Sequence, residues 1–154
     1  MHSRIFQVSS EPITEENYIS EYRYDEYLVG QDGIDYVVES DSKQDDLNWL
    51  KNTSKGIEVT ENTIKVTSKK EYFEKSFEEF QEYVEKLSNY NMEDFINPQN
   101  WLDFYRLKDA YDSENGFKID DNDEYFGITS LDNFVRNVEE GETYYIGKTF
   151  DYHF

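Results

Sequence analysis

Apolar and polar residues alternate over 56–67, with Ile57 and Val59 on one side of a first strand and Ile64 and Val66 on one side of a second. Glu61-Asn62 falls at the turn, so the pattern predicts a β-hairpin. Ser68 follows, a residue suited to accept from free N–H groups at a helix start. Beyond it Phe73, Phe77, Phe80, Val84 and Leu87 recur at steps of four, three, four and three. That spacing puts one apolar stripe on a helix over about 69–89, roughly 30 Å long at 1.5 Å per residue. Packing into a core is the expected use of its rings.

The flanking segments are shorter. Residues 4–8 read as a first strand, closed by Ser10-Glu11-Pro12, and residues 14–22 as a short helix with acids in its first turn. Residues 27–30 and 34–39 are β-like, separated by the turn signal of Gly30 and Gly33. Ser42 or Asp41 can cap a helix over 43–52. Pro98 suits the first turn of a helix over 99–111. Residues 117–119 and 125–128 read as short strands, 130–139 as a helix capped by Ser130 and ended by Gly141, and 144–152 as a last strand. Hairpins and helices mix without regular βαβ alternation. The expectation is one α+β domain over 1–154. It has a small mixed or antiparallel sheet, and the hairpin at about 56–67 is packed by the helix at about 69–89 and by shorter helices.

Charge changes the picture. Among 154 residues there are 35 acids and 15 bases, a formal net charge of −20. High net charge alone suggests disorder, but 14 Tyr, 11 Phe and 2 Trp do not. The chain reads as a folded domain whose core is built from rings. Ordinary nucleic-acid binding needs clustered Lys and Arg, and anionic membranes repel such a surface. Met1 to Ser10 holds one Arg and no apolar run, and no stretch approaches a membrane span. The cytoplasm is the expected location. With no Cys, thiolate zinc sites and disulfides are excluded.

The excess is uneven. Residues 1–50 carry 12 acids and 3 bases, 51–100 carry 10 and 7, and 101–154 carry 13 and 5. Two segments are dense: 11–46, with 12 acids against Arg23 and Lys43, and 109–124, with seven against Lys118. Like charge opposes compaction, and solubility needs a net charge of only about 2–8 in magnitude. The surplus therefore points to use of the field itself. Duplex DNA carries one charge per roughly 1.7 Å of axis. A carboxylate-studded surface can compete for a basic groove, with aromatic side chains as desolvated anchors. The candidate partner-binding residues are Glu15, Glu16, Glu21, Asp25 and Glu26 in the first segment. In the second they are Asp109, Asp112, Glu114, Asp120, Asp121, Asp123 and Glu124.

In composition this small, acidic, Cys-free, aromatic-rich chain resembles the anti-defence proteins of phages and mobile elements, the anti-CRISPR and antirestriction proteins that mimic nucleic acid. Its opening, Ser3-Arg4-Ile5-Phe6-Gln7-Val8-Ser9-Ser10-Glu11-Pro12, resembles uncharacterised small proteins from mobile elements of low-GC Gram-positive bacteria. The resemblance implies an inhibitor that occupies the basic channel of a Cas or restriction nuclease and does not itself bind nucleic acid.

Catalytic patterns are sparse. Asp41-Ser42-Lys43 is the one acid-x-Lys triplet, and with Asp25, Asp32 or Asp35 it would outline a metal-dependent nuclease acting on nucleic acid such as guide RNA. A helix cap at Asp41 is the plainer use. A calcium loop started at Asp112 or Asp120 puts Phe117 or Tyr125 where glycine is needed. His2 and His153 lie at the two ends, and no nucleophile motif accompanies them. No cofactor and no metal site is expected, and binding is favoured over catalysis. An immunity-type protein that neutralises a basic toxin would use the same charge, and oligomeric state is left open.

Overall fold

The computed structural model describes residues 1–123 and 127–154. Its spine is a long C-terminal strand, which is flanked on both sides. In chain order the strands are β1 (His2–Ser9), β2 (Tyr36–Glu39), β3 (Ile57–Val59), β4 (Thr63–Val66), β5 (Lys118–Asp121), β6 (Ile128–Ser130) and β7 (Thr143–His153). The helices are α1 (Tyr22–Tyr27), α2 (Lys43–Thr53), α3 (Lys69–Ser88), α4 (Met92–Ile96), α5 (Trp101–Tyr111) and α6 (Leu131–Asn137). The fold is α+β with a mixed sheet.

On one side β7 pairs antiparallel with β1. On its other side β4 meets residues 143–145 and β2 meets residues 150–153, one after the other along the same edge. Beyond β1 lies β5, parallel to it, and then β6, antiparallel. Side chains alternate across a strand, so β1 feeds two cores. Phe6 and Val8 join Leu47 and Leu50 of α2, Phe134 and Val135 of α6, and the hairpin's Ile64 and Val66. Ile5 joins Tyr24 and Leu28, Val37, Phe150 and Tyr152 on the opposite face. Gln7, fully buried on that second face, reaches the Asn17 carbonyl at 2.7 Å and accepts from the Lys148 amide at 3.1 Å. Gly147 leaves it room, because a Cβ there would sit 2.4 Å from the Gln7 oxygen.

The hairpin, both long helices and the terminal strands lie where the patterning placed them, and Ser42, Ser68 and Ser130 cap α2, α3 and α6. Asp41 does not cap α2; the Ser42 hydroxyl accepts from the Asp45 amide. Two readings change. Residues 27–30 are not a strand: Tyr27 ends α1 and 28–30 turn away from it, with Tyr24 and the capping Leu28, four apart, in the second core. Residues 15–17 form a single 3-10 turn, so the helix expected over 14–22 starts at Tyr22 instead. In the expected strand 125–128, residues 125 and 126 lie outside the described residues, and β6 begins at Ile128.

The long helix meets the sheet's first core through Tyr72 and Phe73 near its start. The rest leaves the body and pairs with α5, with α4 at the far end, as a helical arm. No side chain from Lys69 to Asp109 is fully buried. Phe80 faces Tyr111, and Tyr90 meets Phe104 edge-on. Phe77, Val84, Met92, Phe95, Ile96 and Trp101 are exposed. The stripe expected to be core is therefore divided: Phe73 reaches the sheet's first core, Phe80 faces α5, and Phe77 and Val84 are exposed.

Candidate functional site

Part of each acid-dense segment, residues 11–23 and 120–123, meets the other at one end of the sheet. β1 and β5 are parallel, so their C-terminal ends lie side by side, Val8 level with Asp121. The chain leaving β1 at Ser10 meets the chain leaving β5: Asp123 accepts from the Ser10 amide at 2.6 Å and from the Ser9 hydroxyl at 3.1 Å. Those bonds, the Ser10 amide first, hold the Asp123 carboxyl below the usual carboxylate range. A shallow depression of about 400 Å³ between the two segments is lined by Glu11, Asn17, Arg23 and Asp123.

Asp120 is not a surface group. It is fully buried on β5, 3.3 Å from the Arg23 guanidinium, and accepts from the Tyr24 hydroxyl at 3.0 Å. Burial pushes its carboxyl above the ordinary range despite Arg23 and Tyr24, and pushes the Tyr24 phenol up as well. This buried contact fastens α1 to β5 and so sets how the two acidic segments sit together. It is a structural pin, and its charge is spent inside the molecule.

The other candidates divide. Glu15, Glu16, Asp25 and Glu26 are exposed, and no Lys, Arg or His pairs with them among the described residues. On α1, Tyr24 and Leu28 point inward while Tyr22, Asp25 and Glu26 stay out, because residues three and four apart share a helix face. Tyr18, Tyr22 and Tyr27 are exposed among these carboxylates, Tyr22 at 74%. Glu21 accepts from the Glu39 amide at 2.7 Å.

The second segment is more engaged than its composition suggested. Glu114 pairs with Lys108 at 2.9 Å, which holds its carboxyl below the usual range, and Asp112 accepts from the Ser130 hydroxyl. Asp109 is half-buried, and burial raises its pKa despite Arg106. Asp121 accepts from the Asp123 amide at 3.0 Å. Lys108, Lys118 and Arg23 share a cleft of about 540 Å³ with Asp32, Asp112 and Glu114, so this region is nearly neutral. Burial lowers the Lys118 amine, which donates to the Glu114 carbonyl at 2.9 Å. Glu124 lies outside the described residues.

The nuclease outline does not assemble. Asp41 is exposed, and Lys43 spends its amine on the Ile146 carbonyl at 3.1 Å, where burial lowers it. Asp35 is taken by His153 at 2.8 Å and Asp32 by the neutral cleft. Among the described residues no three His, Asp or Glu side chains come together in a group able to hold a metal ion. His2 and His153 do meet, their rings 4.8 Å apart, because β1 and β7 are antiparallel partners with these two residues in register. No described helix is long and apolar enough to cross a membrane.

Two buried clamps were not visible in the sequence. Asp46 accepts from Arg4 and from the Thr149 hydroxyl, tying α2 to the sheet. Asp132 of α6 accepts from the Tyr72 hydroxyl at 2.7 Å and the Ser113 amide at 2.8 Å, gripping the arm at both of its roots. Periodicity marked these acids only as polar positions in short helices, and a partner 60 or 103 residues away leaves no local signal.

No protein-family model matches the chain, and neither a curated protein nor a solved structure matches it.

Proposed function

We propose that the protein is an acidic inhibitor that binds the basic nucleic-acid groove of a bacterial defence nuclease, of anti-CRISPR or antirestriction type. One observation supports this most directly: Glu15, Glu16, Asp25 and Glu26 stand exposed and, among the described residues, without an ion-pair partner, interleaved with the exposed rings of Tyr18, Tyr22 and Tyr27. Carboxylates alternating with aromatic faces repeat the chemistry of a polynucleotide, charge beside ring. The field behind them is strong, since the body (1–68 and 112–154) carries 25 acids and 9 bases, net −16. The first of the two dense segments supplies this surface; in the second, Asp120 is a buried pin and Asp112 and Glu114 line a neutral cleft.

The mechanism is competition. Negative potential steers the protein to a cationic channel, and the rings then desolvate against the channel wall and lengthen the residence time. The test is displacement of duplex DNA from a restriction nuclease, and of target DNA from a guide-loaded Cas nuclease. Inhibition should weaken steeply as salt rises from about 50 to 200 mM. Replacing Glu15, Glu16 and Glu26 by Gln and Asp25 by Asn should lower the association rate about tenfold or more, while the fold persists. Unchanged DNA binding and cleavage for both enzyme classes at every salt concentration would remove the proposal.

A further inference from the structure

We infer that the groove between α2 and α5 receives a guanidinium group, the arginine side chain of a protein partner. The groove, of about 540 Å³, lies where the arm joins the body, and rings wall it: Trp49 of α2, Tyr105 of α5, Phe117 and Phe154. Trp49 stays 39% exposed and meets Phe117 edge-on at 5.0 Å. Asp109 lines the same groove. It stands four residues after Tyr105, so ring and carboxylate share one face of α5.

Asp109 is the second observation, independent of the rings. The acids around it are engaged: Asp103 accepts from Lys86, Asp112 from Ser130, Glu114 from Lys108 and Asp132 from Tyr72. Asp109 is half-buried, yet among the described residues its carboxylate has neither a hydrogen bond nor an ion pair. A carboxylate drawn partly out of water without a partner is unfavourable. Burial raises its pKa, Arg106 lowers it, and Asp132, Glu114 and Glu79 raise it again, so the field at Asp109 calls for a cation. The cations bordering the groove do not answer it. Arg106 is exposed and makes no ion pair with it, the Met1 ammonium donates to the Phe154 carbonyl at 2.5 Å, and His2 faces Asp151 at 3.0 Å.

The two observations select one guest. A ring face attracts a cation, and a free carboxylate can take two parallel N–H bonds. A guanidinium meets both needs, since its plane stacks while its edge donates; an ammonium is a strongly hydrated point charge without a plane. The chain already sets its own guanidinium groups on rings, Arg4 at 5.3 Å from Trp49 and Arg136 at 4.1 Å from Tyr111. A protein at net −20 draws basic partners, whose arginines reach into the groove while their backbone stays outside. The site is separate from the acidic surface at 15–27, and its test needs neither a nuclease nor nucleic acid.

The probe is N-acetyl-arginine amide, titrated into the full chain and followed by NMR at about 150 mM salt, where a Debye length of about 8 Å screens diffuse attraction. The Trp49 indole N–H and the Asp109 amide should shift and saturate, with a dissociation constant of about 1 mM, the scale of one cation–ring contact with one charge-assisted pair. The citrulline analogue loses the charge and the lysine analogue the plane, and each should bind about fivefold more weakly or worse. Asp109→Asn should weaken arginine binding about tenfold or more. Its melting temperature should be unchanged or higher, because the carboxylate has no partner within the chain to lose. Tyr105→Leu should weaken binding through the ring wall alone. Shifts that never saturate, that centre on residues 15–27, or that survive Asp109→Asn overturn the inference. So does equal binding of either analogue, or a loss of stability in Asp109→Asn, which would give that carboxylate an internal role.

Discussion

The sheet body and the helical arm are stabilised in different ways. The body, with a net charge of −16, buries Tyr24, Phe6, Phe150 and Tyr152 completely and fixes its buried acids with specific partners. The arm, from 69 to 111, has 10 acids and 6 bases and buries nothing completely before Ala110. Repulsion in the body is outweighed because apolar burial on two faces of one sheet is large, at about 25 cal/mol per Å². The arm has less burial to draw on and correspondingly less repulsion. The difference teaches that net charge follows what the local core can tolerate.

The contrast breaks most visibly in the body. Phe150 sits on β7 with no exposure, edge-on to Tyr24 at 4.9 Å. Phe150→Ala should cost about 3–5 kcal/mol and lower the urea midpoint of the whole molecule, arm included. A loss under about 1 kcal/mol would mean that the second core is not closed as described.

A smaller effect should stay in the arm. Asp132 grips both roots, and Arg136 adds its guanidinium over Phe73 at 4.6 Å and Tyr111 at 4.1 Å. Asp132→Ala leaves the Tyr72 hydroxyl and the Ser113 amide without their acceptor, worth about 1–3 kcal/mol. Hydrogen exchange should quicken through α3 and α5 and hardly at all in β1 and β7, because opening proceeds by cooperative units. Uniform acceleration across both regions would show that the arm is not a separate unit.

Much of the body was legible. Alternation at 57–66 and Ser caps at 42, 68 and 130 are local signals, and each one placed its element. Leu131, Phe134, Val135 and Val138 lie inward as their spacing implied. What failed was whatever depends on a distant partner. The Phe73–Leu87 stripe has the spacing of a buried helix, yet nothing in its own sequence says whether a sheet, α5 or solvent lies opposite. Tyr27 to Gly30 has strand-like composition, but the second core recruits Tyr24 and Leu28 and keeps the segment helical up to Tyr27. In the site, Asp120 and Asp123 look alike on paper. Alternation along β5 buries one beside Arg23, 97 residues away, and leaves the other at the strand's exit.

The finest test compares two carboxylates built from the same parts. Asp103 in the arm accepts from Lys86 at 2.8 Å and from the Tyr90 hydroxyl; Asp120 in the body has Arg23 and the Tyr24 hydroxyl. The bonds from Lys86 and Tyr90 outweigh slight desolvation and hold Asp103 below its ordinary 3.8, while burial outweighs Arg23 and Tyr24 and lifts Asp120 above 3.8. The linkage signs are opposite. Folded Asp103 binds fewer protons than the unfolded chain, so its contribution is complete above 3.8 and is lost as pH falls through its lowered value. Folded Asp120 binds more, so acidification through its raised value towards 3.8 favours the folded body. Carboxyl carbon shifts followed by NMR should place the two titrations on opposite sides of 3.8. Arm amides should then lose protection below that point before body amides do. If Asp103 titrates at or above Asp120, desolvation is not what separates arm from body.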